Sequence, residues 1–326
     1  MQRLPFIDWD AAARVGRKAV HPGPELAPGD IAEVVAALRA AAGRAPNHVL
    51  EVTGMAAPAE ARTLVVDRAG WVSAMAVSAG ALLGVMGAPT VATSLSQRLS
   101  GRVLAGNVGA GLAVVASLIL GQFDPFVEPK RLLLVAPNVV ATERKLGVNP
   151  TDFRLWICLH EETHRVQFGH APWLVGHLQQ LMRELLAEDE PLQQWRAGQK
   201  PHSLVDLVTT PAQHETFDRI TAVMSLMEGH ADVMMDRVGT SVLPTLPVIR
   251  RAFEDHRDRT GWAAVVSKLL GLDLKRAQYR DGAAFCNEVL HRADLETLNF
   301  AFSAADHLPT LAEIHDPQQW LHRVSR

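Results

Sequence analysis

Apolar residues recur at three- and four-residue spacing along most of the chain, the pattern of amphipathic helices. Residues 8–20 and 30–42 both show it. Each opens on an acidic residue, suited to the positive end of a helix dipole, and the second stops near Gly43. Between 71 and 121 the pattern changes. Residues 71–97 and 103–123 carry no Asp, Glu, Lys or Arg and are rich in Ala, Gly, Ser and Thr. Small side chains let helices pack closely, so two or three buried helices are expected here. Both stretches exceed the roughly 20 apolar residues that cross a bilayer. Pro89 and Asn107 interrupt them, however, and small residues gain little from lipid. Membrane association is the less favoured expectation.

Residues 132–140 (LLLVAPNVV) read as a short aliphatic strand, placed at a sheet edge by Pro137. Asn149-Pro150-Thr151-Asp152 then marks a helix start, with Asn149 as cap. That helix is expected to reach about Phe168, stopped by Gly169 and Pro172. Residues 188–211 are polar and bounded by prolines, a loop or broken helix. Another helix covers 215–238 and ends at Gly239, and the chain beyond Pro244 is mainly helical. The reading is a mainly α fold with at most a small edge sheet. It divides into a helical N-terminal region, 1–130, and a catalytic region, 131–326, or forms one continuous domain.

Composition narrows the function classes. With 326 residues, 48% hydrophobic and 21% charged, the chain can bury a sizeable core. A net charge of -3 without a long basic run makes nucleic acid an unexpected partner. Two cysteines, Cys158 and Cys286, cannot build a disulfide framework and fit a reducing compartment. The first residues lack the apolar run of a secretory signal, so a cytoplasmic location is expected.

The chemistry concentrates in His160-Glu161-Glu162-Thr163-His164, an HExxH motif inside a predicted helix. Histidines four apart share a helix face and can bind one Zn2+, while Glu161 can take a proton from the activated water. A catalytic zinc needs a third protein ligand, and two residues compete for that place. His170 completes the spacing HExxHxxxxxH, yet Gln167 stands where that arrangement needs a glycine to turn the chain. Glu228 lies 64 residues beyond His164 on a helix rich in methionine, and is favoured. Asp232, one turn later, can orient a ligand histidine by accepting from its other ring nitrogen. His230 points away from Glu228 and reads as a core or surface histidine. Tyr279, the sole tyrosine, is a weak candidate for an oxyanion donor, and Glu162 with Arg165 reads as an ordinary surface pair.

The segments LHEETHRVQFGHAPWL, MSLMEGHADVMMD and LLGLDLKRAQYRDGAAF together resemble the zincin-like metallopeptidase type 2 family of actinobacterial proteins. The likeness extends from DWDAAARVG near the start to LPTLAEIHDPQQWL near the end. It implies a mostly helical zincin-like fold and a zinc site on His160, His164 and Glu228, with Glu161 as base. The expected activity is zinc-dependent hydrolysis of a peptide or protein substrate, of the gluzincin type. The alternative is a catalytically silent zinc-binding or interaction protein that keeps the fold. No substrate follows from the resemblance.

Overall fold

The computed structural model describes residues 4–55, 60–187, 211–256 and 277–325. The helices are α1 Trp9–Ala19, α2 Pro28–Thr53, α3 Arg68–Val85, α4 Leu95–Ala116, α5 Ala136–Leu146, α6 Pro150–His170 and α7 Trp173–Ala187. There follow α8 Pro211–Val238, α9 Leu246–His256, α10 Ala277–Arg292, α11 Leu295–Phe300, α12 Leu311–His315 and α13 Pro317–Val324. A small sheet joins β1 Ala61–Val66, β2 Gly121–Asp124 and β3 Lys130–Val135 in the order β1-β3-β2. β1 pairs parallel to β3, with Ala61 opposite Lys130, and β2 pairs antiparallel, with Phe123 opposite Leu132.

The mainly helical expectation holds. The strand expected over 132–140 needs two corrections. It ends at Val135, where α5 begins, and it is the central strand rather than an edge. Pro137 falls in the first turn of α5, where a missing N–H costs no hydrogen bond. The proline therefore opens a helix instead of marking a sheet margin. The start of α6 follows its sequence signal: the Asn149 side chain accepts from the backbone N–H of Thr151 at 2.9 Å and of Asp152 at 3.2 Å. The helix continues through Gly169 to His170, two residues beyond the expected stop.

α3 and α4 occupy the Ala/Gly-rich stretch, but only one side of each is buried. Trp71, Val72 and Met75 pack with Leu112, Val115 and Ala116 against Leu133 and Val135 of β3. Val77, Leu99 and Val103 lie open on their other sides. The main core draws Leu38 and Val49 of α2, Leu159 and Val166 of α6, Leu226 and Met234 of α8 and Trp320 of α13 into one cluster. It thus takes side chains from both sides of position 130. Expected elements within 188–210 lie outside the described residues.

One close approach sets the height of α8. A Cβ added at Gly229 would sit 2.1 Å from the carbonyl carbon of Gly282, and one at Gly282 would sit 2.0 Å from the Ser225 oxygen. α8 and α10 cross backbone against backbone at this point, which only glycine allows. Gly229→Ala is therefore expected to destabilise the fold by at least about 1–3 kcal/mol, the usual range for overpacking. Urea denaturation checks this, and an unchanged midpoint would refute the crossing.

Candidate metal centre

α6 carries His160 and His164 on one face, four residues apart, and both rings turn toward α8. Their Nε2 atoms lie 3.1 Å apart. The Glu228 carboxylate, brought over by α8, places one oxygen 3.4 Å from His160 Nε2 and the other 3.6 Å from His164 Nε2. Among the described residues this is the group of three whose donor atoms could hold a metal ion. Donors held 2.0–2.1 Å from a tetrahedral zinc are about 3.3 Å from one another, so the triangle is of the right size. The three side chains are 12–22% exposed, which leaves the cluster reachable from solvent. The residues fit a zinc ion.

Electrostatics point the same way. Burial works against a charged His160, yet the Glu228 carboxylate beside it carries its pKa up to about 9. His164 is pushed down, chiefly by burial, with His160 adding to the effect against the pull of Glu228. The triangle thus calls for one positive charge, met by a proton or by a cation.

Gln167 fixes the orientation of His164. Its side chain is fully buried. The amide nitrogen donates to the Met227 carbonyl at 2.9 Å and faces His230 Nδ1 at 3.1 Å. A carbonyl can only accept, so the amide oxygen must be the end facing His164 Nδ1, at 2.9 Å. His164 therefore carries its proton on Nδ1 and presents a free lone pair on Nε2 to the cluster. The same amide ties α6 to the residue preceding Glu228.

Glu161 lies close enough to His160 and Glu228 to feel their charges, and its carboxylate reaches β2. Its Oε2 accepts the Phe123 N–H at 3.0 Å. A Cβ at Gly121 would come within 2.6 Å of Glu161 Cγ, so the carboxylate occupies the space a side chain would fill. Burial pushes the Glu161 pKa up to about 7, with His160 and the Phe123 N–H opposing and the Glu228 charge adding.

Other expected residues take different places. His170, at the end of α6, is not in the donor group. Ten residues of uninterrupted helix separate it from His160, a rise of about 15 Å. Asp232 meets Arg250, whose Nη1 is 3.4 Å from its carboxylate and whose Nη2 donates to its backbone carbonyl at 2.6 Å. The Asp232 charge also favours the protonated forms of His160 and His164, and Gln167 is the described partner of His164 Nδ1. Glu162 does pair with Arg165, but its side chain is buried rather than at the surface. The side chain of Tyr279 lies outside the described residues. His230 is a core histidine, stacked edge-on against Phe302.

A family model described as zincin-like metallopeptidase matches residues 7–321. The chain belongs to that family. This zincin-like protein also resembles a solved structure from Chloroflexus aurantiacus, described as a candidate hydrolase with a novel fold. The two share 29% identity with a TM-score of 0.75, over 98% of this chain and 99% of the other. No curated protein matches it. Membership of the family and the likeness to that structure favour hydrolase chemistry, and the family suggests a metal, typically zinc.

The Gln167 amide is open to direct test. Gln167→Leu removes the amide, leaving the buried His164 Nδ1 and His230 Nδ1 without its contacts and cutting the tie from α6 to the Met227 carbonyl. The zincin-like protein should then lose about 1–3 kcal/mol of stability in urea denaturation. A loss within error would mean the amide is not the lock described.

Proposed function

We propose that the zincin-like protein is a zinc-dependent peptidase in which His160, His164 and Glu228 hold the ion and Glu161 moves the proton. The observation that carries this reading is the cluster of His160, His164 and Glu228, with the two Nε2 atoms 3.1 Å apart, each 3.4–3.6 Å from one of the two Glu228 oxygens, although Glu228 lies 64 positions beyond His164. When bound, zinc supplies Lewis acidity, polarising a substrate carbonyl and making water acidic enough to ionise near neutral pH.

The protein's own residues do the rest. His164 is held by Gln167 with its lone pair outward. Glu161 has one oxygen committed to the Phe123 N–H, which leaves Oε1 to accept a proton from the attacking water. It can then deliver that proton to the leaving amine. The absence of a side chain at Gly121 keeps this position clear. β2 is an edge strand next to Glu161, so an extended peptide would lie along β2 and not along the central β3.

The experiment combines metal content with turnover. Wild type should hold one zinc by elemental analysis and cleave members of a peptide library. Glu161→Gln should keep the zinc and lose about 10²–10⁴-fold in rate. Glu228→Ala should lose both. Zinc-free wild type would remove the site, and equal rates in wild type and Glu161→Gln would remove the base. Stoichiometric zinc with no cleavage of any peptide would favour the silent binding protein.

A further inference from the structure

A long, largely apolar helix is expected to be mostly covered. α3 and α4 break that expectation. Each contains an 18-residue window of high mean hydropathy, 1.3 and 1.4, of which only 33% and 39% is buried. The open side of α4 is a continuous row. Leu95, Leu99, Val103 and Val114 are 74, 58, 70 and 52% exposed. At 100° per residue they fall within roughly a third of the helix circumference. The neighbouring side, with Gly101, Ala105 and Gly109, is buried. Gly109 packs against the backbone of α1, which fixes the row facing outward. On α3, Val77 and Val85 are 58 and 60% exposed. Contiguous exposed apolar surface of this kind marks a place that something else covers.

Charge says what that is. From 69 to 123 the chain has two basic residues, Arg98 and Arg102, and no acidic one. Both arginines are exposed and sit on α4 beside the apolar row. Arg102 is held only loosely, 3.8 Å from the Asp8 carboxylate, and its side chain is 72% exposed. Both help line a recess of about 330 Å³ together with Phe6, Asp8 and Val91. Asp8 faces Arg102 and lines the same recess, so a second copy of the chain is the alternative occupant, and the test below separates it from a membrane. An anionic lipid surface satisfies both features at once: acyl chains take the leucines and valines, and phosphates take the guanidiniums.

We propose that the α3–α4 face docks the protein onto an anionic phospholipid bilayer, lying on the surface rather than crossing it. Surface docking fits the packing, because the inner sides of α3 and α4 lie against α1 and the sheet. This inference is independent of the zinc reading, since none of its residues touches the metal centre.

The test is co-sedimentation of the full chain with phosphatidylcholine vesicles, with and without phosphatidylglycerol. Wild type should bind the vesicles containing phosphatidylglycerol and bind them less as salt is raised. Arg98→Ala and Arg102→Ala should each weaken that binding about fivefold, the equivalent of about 1 kcal/mol for a basic residue at an anionic surface. Leu99→Glu with Val103→Glu should abolish it. These side chains are exposed, so thermal melting of every variant should match wild type and separate lost docking from lost folding. No binding of wild type to either vesicle overturns the proposal, as does equal binding to both. Sedimentation of wild type as a dimer that becomes monomeric in the Leu99→Glu, Val103→Glu variant, without vesicle binding, would assign the face to a second copy instead.

Discussion

A carboxylate from one helix meeting two imidazoles of another is the contact on which the rest of the arrangement depends. The two histidines are neighbours by helix geometry alone, but Glu228 reaches them only because α8 lies at one particular height along α6. Two features set that height. The Gly229–Gly282 crossing lets α10 press α8 backbone to backbone at the residue after Glu228. The Gln167 amide grips the carbonyl of the residue before it. Glu228 is thus fixed from both sides of its own peptide unit. A carboxylate placed among partly buried groups is costly unless a positive charge accompanies it, and the upward pull on His160 expresses that demand.

What could be read from the sequence was what is local or chemically marked. The Asn149 cap, the start of α6 and the shared face of His160 and His164 all follow from spacing within a few residues. Glu228 was legible for another reason: an acid set among Met224, Leu226, Met227 and Met234 has to be there for something. The sheet was far less legible. β1 pairs with a strand some seventy residues later, and β2 is four residues long with a glycine at its start, too short for periodicity to show. Pro137 misled because a missing N–H suits a sheet edge and the first turn of a helix equally well. Only the run after it, ATERKL, favours the helix. Gln167 looked like a glycine that was absent. Its position three residues after His164 was the signal, since such a pair lies on one helix face.

The apolar composition of α3 and α4 was visible too, yet composition cannot say which side of a helix is covered. Packing decides that. Gly109 of α4 lies against α1, while Leu95, Leu99, Val103 and Val114 are open to the outside. The pair is therefore a boundary element: one side completes the core above β3, and the other presents hydrocarbon and guanidinium groups together.

The choice of an amide at position 167 has a consequence for the conditions the protein can tolerate. In many metal sites a carboxylate steadies the ligand histidine, and such a lock loosens once acid protonates it. Glutamine has no proton to gain or lose over any ordinary range. The neutral ring it steadies keeps its proton on Nδ1 wherever it is able to bind a metal. Loss of the metal in acid would then reflect protons competing for the donor atoms themselves, not the supporting shell giving way.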